Sequence, residues 1–373
     1  MGSESRNRYL IKNTLIFTLG NIGSRMISFF LIPLYTNVLT TSQYGTVDLV
    51  TTISTVAGPM LTLNIAESVM RFGLDKDADK EKNTQCGSIV LFIAMIVGVI
   101  LIPICQHISG VSDYAIYVYF YVISLSASQL FLCDLRGKEL LLQYSFGNIL
   151  QTLMIAILNI LFLLVFKMET GGYLLAYIIA NFIVAIYAVI AGKGYKAFSS
   201  HKTDRYKLRE MIRYSVVLIP NTFMWWIMNS SDRVMVTYMI GAAANGIYAV
   251  SYKLPTLVST LTGIFNQAWS YSAIREEGTS DETEYNNKMF RTLAAIAFIM
   301  GLGLLLLTKP FLKIYVSDSY YEAWKYTPFL IIGCVYLTLG TFMATSYTVH
   351  KDSFGYLFSG LFGAAFNILL NFI

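Results

Sequence analysis

Residues 12–71, KNTLIFTLGNIGSRMISFFLIPLYTNVLTTSQYGTVDLVTTISTVAGPMLTLNIAESVMR, decide how this chain folds. They read as two apolar segments, 12–39 and 45–71, joined by a turn at Thr40–Gly45. Each segment runs about 27 residues, which at about 1.5 Å of rise per residue exceeds the roughly 30 Å hydrocarbon core of a bilayer. Neither is apolar all round. Thr14, Thr18, Asn21, Arg25 and Ser28 recur at steps of three and four, and so do Asp48, Thr51, Thr55, Gly58 and Thr62. Each set therefore shares one helical face. A helix surrounded by lipid has no use for a polar stripe, whereas a helix on a water-filled cavity does.

The composition agrees with a helical membrane protein. Of 373 residues, 55% are hydrophobic and 13% charged, against about 25% charged in a soluble domain. A polar start with Arg6, Arg8 and Lys12 precedes the first apolar segment, with no cleavage-site pattern, so that segment is expected to be retained. Eleven spans are expected, at roughly 12–39, 45–71, 86–107, 114–133, 143–166, 172–191, 211–239, 245–272, 289–307, 325–349 and 354–373.

The net charge of +5 raises nucleic acid as a partner, but its placement follows topology instead. Twenty of the 27 Lys and Arg residues fall at the N-terminus and in every second loop, and four fall in the opposite loops. The other three, Arg25, Arg233 and Lys253, lie inside spans. This bias places the N-terminus in the cytoplasm. Cys86, Cys105, Cys133 and Cys334 form no CxxC pair, and His107, His201 and His350 are scattered, so neither a metal site nor a disulfide is expected.

The chain repeats. Shifted by 201 residues, Ser42-Gln43-Tyr44-Gly45 falls on Ala243-Ala244-Asn245-Gly246; shifted by 208, Ser145-Phe146-Gly147 and Asn159-Ile160-Leu161 fall on Ser353-Phe354-Gly355 and Asn367-Ile368-Leu369. Spans one, two and five thus correspond to seven, eight and eleven. Six spans per half is an even number, so both halves enter from the same side and relate by an axis along the membrane normal, with a cavity between them. The expected architecture is all-α: two pseudo-symmetric six-helix bundles, 1–198 and 211–373, joined by a basic cytoplasmic linker at 199–210. The second bundle stops after its fifth span, and the expectation is a truncated C-terminus.

The second hairpin, 211–272, is striped like the first. Thr222, Trp226, Ser230, Arg233 and Thr237 share a face, as do Asn245, Tyr248, Tyr252, Pro255, Ser259, Thr262, Asn266 and Trp269. Pro33, Pro59, Pro220 and Pro255 interrupt the four hairpin spans, either as ordinary kinks or as the joints of a moving wall. Arg25 is too deep to snorkel easily; it either lines the cavity or pairs with a buried partner. Asp232 and Arg233 are adjacent and point to different faces. Lys253 lies within snorkelling range of the outer surface. Glu67 and Arg71 read as an i, i+4 pair, and Asp48 either caps its helix or faces the cavity. The cations at mid-depth favour an anionic substrate, and arginine suits phosphate. The tyrosine-rich stretches 114–121 and 315–326 read as an interfacial aromatic belt or as a surface that stacks on sugars.

Asn21-Ile22-Gly23-Ser24-Arg25 with Pro33-Leu34-Tyr35 and Tyr44-Gly45, then Arg71-Phe72, Leu135-Arg136-Gly137 and Asp232-Arg233, taken in order along the span layout, resemble the Wzx-type polysaccharide flippases of the MOP superfamily. That superfamily also contains the lipid II flippases and the MATE drug exporters. The resemblance covers nearly the whole chain and departs at the C-terminus, where such proteins carry further spans. It implies a non-enzymatic flippase of the bacterial cytoplasmic membrane that moves an undecaprenyl-diphosphate-linked oligosaccharide, an O-antigen or capsule unit, to the outer leaflet. Other polysaccharide-assembly membrane proteins are implied as partners. On this reading Arg25, Arg233 and Lys253 hold the diphosphate, and Asn21, Ser28, Thr55, Thr222, Tyr248, Tyr252 and Asn266 line the path. Asp48, Glu67 or Asp232 would couple transport to H⁺ or Na⁺; no other cofactor is expected. The alternatives are a MATE-like multidrug exporter, which the mid-span cations disfavour, and a membrane glycan polymerase or ligase, for which no sizeable outer loop is present.

Overall fold

The computed structural model describes residues 27–75, 77–107, 110–198, 204–275, 282–350 and 352–372. Asn21 and Arg25 lie outside these residues. Among the described residues every regular element is helical. The first, α1 (Ile32–Val38), continues an apolar helix that begins at Ile27. The described residues form two compact units that divide the chain inside helices: one holds residues up to Leu34 and Thr46–Trp226, the other Tyr35–Gly45 and the chain from Ile227.

In the first unit, α2 (Thr41–Leu61) and α3 (Ile65–Gly73) are followed by α4 (Lys80–Gly98), α5 (Leu101–Gln106), α6 (Ala115–Gly137), α7 (Leu141–Asn159) and α8 (Glu169–Ala191). The long α9 (Arg205–Met239) starts in this unit. The hub is α6, which packs on α3, α4, α7 and α8. Ser124, Ser126 and Ser128 of α6 are buried, and small residues let neighbouring helices approach closely where lipid gives no hydrophobic drive. Ile65, Val69, Leu130, Leu135 and Met211 fill the core beside them.

Caps begin the helices where the sequence supplies them. Thr40 and Gln43 exchange hydrogen bonds at the start of α2, with the Thr40 N–H donating to Gln43 Oε1 at 2.9 Å and the Gln43 N–H to Thr40 Oγ1 at 3.2 Å. This reciprocal arrangement is a capping box. Asp79 caps α4 and Asp204 caps α9. The Lys82 N–H donated to Asp79 holds that carboxyl below its ordinary pKa.

At the end of α6, Asp134 and Lys138 form a buried ion pair at 2.6 Å. Thr84 Oγ1 donates to Asp134 at 2.6 Å, and Lys138 Nζ donates to Gly192 O at 2.9 Å. The pair thereby ties α6 to the start of α4 and the end of α8.

Three expected spans are broken. Residues 45–71 bend by 60° between α2 and α3. Leu63 and Asn64 there take φ of 52° and 54°, a left-handed conformation that asparagine tolerates better than most residues. The span at 86–107 divides between α4 and α5. That at 245–272 divides at Tyr252 into α10 (Ala242–Ser251) and α11 (Lys253–Arg275). By length and apolarity alone, six helices among the described residues can cross a membrane, or seven with the bent pair α2 and α3 as one span.

The second unit continues through α12 (Glu282–Tyr315), a 3₁₀ segment Asp318–Lys325, α13 (Thr327–Val349) and α14 (Ser353–Asn371). The last of these exposes Phe354, Phe358, Phe362 and Phe366, as a lipid-facing helix does. The segment Tyr35–Gly45 packs in this unit. Tyr320 is fully buried and donates its hydroxyl to Leu39 O at 3.0 Å, and Ser317 Oγ bonds Thr36 O at 2.5 Å. Tyrosines at 315–326 therefore do more than line an interface.

Gly45 and Gly246, the repeat partners at a spacing of 201, meet at one crossing. A Cβ on Gly45 would overlap Ala242 O, and a Cβ on Gly246 would overlap Thr41 O. Thr41 and Ala242 are themselves 201 apart, so the contact is symmetric. Asn245 Nδ2 seals it by donating to Gly45 O at 2.9 Å. Gly45→Ala and Gly246→Ala are each expected to lower the melting temperature of the detergent-solubilised protein, since overpacking costs about 1–3 kcal/mol. Gly263→Ala, which meets nothing within 4 Å, should leave it unchanged. Equal melting of all three variants would remove this crossing from the account.

Candidate functional site

Among the described residues, one group of ionisable and polar side chains inside the spans stands out in each unit. The first surrounds a cavity of about 780 Å³. The bend after α2 builds one wall of it. Pro59 stands just before the bend, and the Asn64 N–H donates back to Pro59 O at 2.6 Å. The chain then restarts as α3 and carries Asn64 and Glu67 onto the cavity. Gln129 of α6, Asn148 and Gln151 of α7, and Thr222 of α9 line it too. Asn64 Nδ2 reaches Thr222 Oγ1 at 3.3 Å, and Gln151 Nε2 donates to Asn181 Oδ1 at 2.7 Å.

The Glu67 carboxylate makes no ion pair with a described residue. The expected Glu67–Arg71 pair does not form, because Arg71 turns away and bonds Asp75 at 2.7 Å. An i, i+4 partner was available on either side of Arg71, and the exposed Asp75 leaves both charges in water, whereas Glu67 would have to leave the cavity wall.

The second group is centred on α9. Tyr248 of α10 donates its hydroxyl to the Asp232 carboxylate, and the Asp232 carboxylate also accepts the Arg233 N–H at 3.0 Å. The Arg233 guanidinium lies over the Tyr252 ring, 5.3 Å from its centre. The two tyrosine rings are 6.3 Å apart, and Cys334 Sγ of α13 is 4.0 Å from Tyr252 Oη. Adjacent Asp232 and Arg233 do take different partners, as their places on the helix require, but those partners are neighbours one turn apart. A carboxylate, a guanidinium and two phenols thus form one half-buried network. Such a network satisfies a charge inside a span with a hydrogen bond and a cation–π contact.

The remaining expected site residues are dispersed. Asp48 is 7% exposed at the start of α2, while Thr55 is exposed and donates its hydroxyl to Thr52 O at 2.7 Å. Thr51 and Thr62 likewise bond carbonyls of their own helix. The stripe is therefore buried at Asp48, exposed at Thr55 and buried again at Gly58 and Thr62, rather than forming one wall. Ser28 is exposed, Lys253 begins α11, and Asn266 sits mid-way along that helix.

Of the four prolines, Pro59 precedes a real bend. Pro33 and Pro255 occupy the first turn after a break, where the missing N–H costs little. Pro220 does not interrupt its span, since α9 runs through it as one 35-residue helix. Pattern reading missed Gln129, Asn148 and Gln151. Their signal was present as amides inside otherwise apolar spans, with Asn148 and Gln151 three residues apart on one face.

Two of the short motifs, Arg71-Phe72 and Leu135-Arg136-Gly137, sit in packing contacts. Phe72 meets Tyr214 edge-on at 5.7 Å with Lys207 4.3 Å above its ring. Arg136 lies over Tyr144 at 5.5 Å. Gly137 lets α6 approach α3 so closely that a Cβ on Gly73 would stand 2.8 Å from Gly137 Cα.

An all-helical, multi-pass chain with ionisable groups networked inside its spans has the build of a membrane transporter. The chain belongs to the polysaccharide biosynthesis protein family, whose model matches residues 10–271. No curated protein matches it by sequence. Among solved structures it is similar to the Vibrio cholerae MATE transporter VcmN, at 15% identity and TM-score 0.61 over 96% of this chain and 87% of that one. It is also similar to an inward-facing multidrug resistance MATE transporter of the MOP superfamily, at 12% identity and TM-score 0.60 over 95% and 93%. A third is a Pyrococcus furiosus MOP superfamily transporter, described as having a binding pocket of reversed polarity, at 12% identity and TM-score 0.54 over 97% and 94%. These likenesses establish the fold.

The network on α9 has a direct test. Tyr248→Phe leaves the Asp232 carboxylate without its phenolic donor and is expected to destabilise the protein by about 1–3 kcal/mol. Adding Asp232→Asn should recover part of the loss in melting temperature. An unchanged Tyr248→Phe melting curve would show that the network carries no structural weight.

Proposed function

We propose that this protein is a flippase that moves an undecaprenyl-diphosphate-linked oligosaccharide from the cytoplasmic to the outer leaflet of a bacterial cytoplasmic membrane, for O-antigen or capsule assembly. The observation that carries this reading is Arg233, a guanidinium kept inside a span over Tyr252 in a chain of a polysaccharide biosynthesis family. A fixed cation away from bulk water attracts a diphosphate, and the planar fork of arginine matches its oxygens. Arg25 is the inner contact for the diphosphate, and Arg233 and Lys253 receive it further out. The lipid tail remains in the bilayer. The bundles 1–198 and 211–373 alternate between inward-open and outward-open states about the linker 199–210, with the N-terminus in the cytoplasm, as the loop charges suggest.

The cycle is driven by H⁺ or Na⁺. Of the three expected carboxylates, Glu67 is the best placed, because it faces a polar cavity lined by amides that can accept a hydrated cation or shelter a proton. Asp232 is engaged by Tyr248, and Asp48 is buried at the start of α2. The same Glu67 favours a second reading, an ion-coupled multidrug exporter, since a cationic drug seeks a carboxylate.

The test is complementation of a flippase-deficient strain with matched membrane levels of wild type, Arg25→Ala and Arg233→Ala. Each variant is expected to accumulate the lipid-linked unit inside the cell and to show little or no surface glycan. If both variants restore surface glycan as well as wild type does, the cationic path is wrong. If wild type restores none in any donor strain but confers drug resistance, the exporter reading replaces this one.

A further inference from the structure

A second cavity, of about 460 Å³, lies in the other unit where the end of α11, the start of α12 and the end of α13 meet. It is separate from the network around Arg233. Its volume falls within the range of small-molecule sites. One wall is aromatic. Trp269 and Phe342 stack at 4.7 Å with planes 17° apart, and Phe290 leans on Phe342 at 5.5 Å. The rest mixes apolar Ala273, Met343 and Val349 with polar Asn286, Ser346 and His350. No Asp or Glu is among the described lining residues. His350 is held in place through Nδ1, 2.9 Å from Ser346 O, and its Nε2 is 3.8 Å from Glu282.

Two of these residues carry a buried polar atom that the described fold leaves unexplained. Trp269 is 5% exposed, and its Nε1 has no hydrogen-bond partner among the described residues. Asn286 Oδ1 is buried and has none among them either. Buried polar atoms are nearly always paired, and an orphaned donor and acceptor on one cavity call for a reason. A hydroxyl group answers both, since it accepts from the indole N–H and donates to the amide oxygen. A pyranose carries several hydroxyls around its edge and an apolar C–H face that suits an aromatic wall. A cation would require a carboxylate, which the described lining residues do not supply, and a free anion would require a fixed positive charge.

We infer that this cavity is a subsite for a neutral sugar residue of the transported glycan. The inference rests on the flippase reading and deepens it by separating sugar recognition from diphosphate recognition. On the proposed topology the cavity lies at the cytoplasmic end of the second bundle, where a loaded carrier would first present its sugars.

The test measures binding to the purified full chain in nanodiscs with two probes. One is undecaprenyl diphosphate, and the other is the undecaprenyl-diphosphate-linked repeat unit isolated from a flippase-deficient strain. Wild type should bind the glycosylated carrier more tightly. Trp269→Phe, which keeps the ring and removes the donor, and Asn286→Leu should each weaken the glycosylated carrier by about five- to tenfold and leave the bare carrier unchanged. If wild type binds both carriers equally, the subsite is overturned while the flippase reading stands, whatever the variants do. If the variants weaken both carriers alike, the cavity acts only through the fold and the inference also fails. If wild type binds neither carrier, the flippase reading falls and takes this subsite with it.

Discussion

A charge placed inside a span must find a partner or water, because the hydrocarbon offers neither. That requirement accounts for most of what is specific about this molecule. Asp134 is paired with Lys138 and Thr84, Asp232 with Tyr248, and Arg233 with the face of Tyr252. Glu67 faces a polar cavity and makes no ion pair with a described residue. The first of these holds helices together at one end of a bundle. The others stand in polar or aromatic surroundings inside their spans. The same constraint governs the backbone at the bend after α2, where the Asn64 N–H answers Pro59 O.

The symmetric contact of Gly45 with Gly246 shows how the repeat is used. Each glycine lies against the residue four positions ahead of its partner, so the two backbones touch with no side chain between them. Such a crossing is a close-packed joint between repeats. It also explains why the short hairpin segment Tyr35–Gly45 belongs with the helices after Ile227, anchored by Tyr320 and Ser317.

Much of the fold was legible in the sequence because apolar length, polar stripes and loop charge are one-dimensional signals. The glycine pairing at a spacing of 201 was visible as a repeat, although its role as a contact was not. The break at Leu63 and Asn64 was hidden because a positive φ has no reliable mark in a hydrophobic run, and Pro59, four residues earlier, suggested only a kink. Pro220 misled in the opposite direction, since a helix as long as α9 carries one missing hydrogen bond without parting. In the candidate site, Asp232, Arg233, Tyr248 and Tyr252 were legible from spacing, because adjacent helices bring stripes together. The partner of Arg71 was not, as both Glu67 and Asp75 stand four residues away and only burial distinguishes them. Trp269 was read as the end of a stripe. That its indole N–H would be left without an acceptor follows from three-dimensional packing alone.

The proposed function turns on translocation of an anionic, sugar-bearing lipid. The most direct measurement reconstitutes the purified full chain in liposomes with a fluorescent undecaprenyl-diphosphate-linked oligosaccharide and follows the fraction of sugar exposed to an added impermeant lectin. A flippase gives protein-dependent, saturable movement of the lipid between leaflets that excess unlabelled glycosylated carrier suppresses. Liposomes in which the protein leaves the glycolipid in its original leaflet, yet transports a cationic dye against an ion gradient, would contradict it.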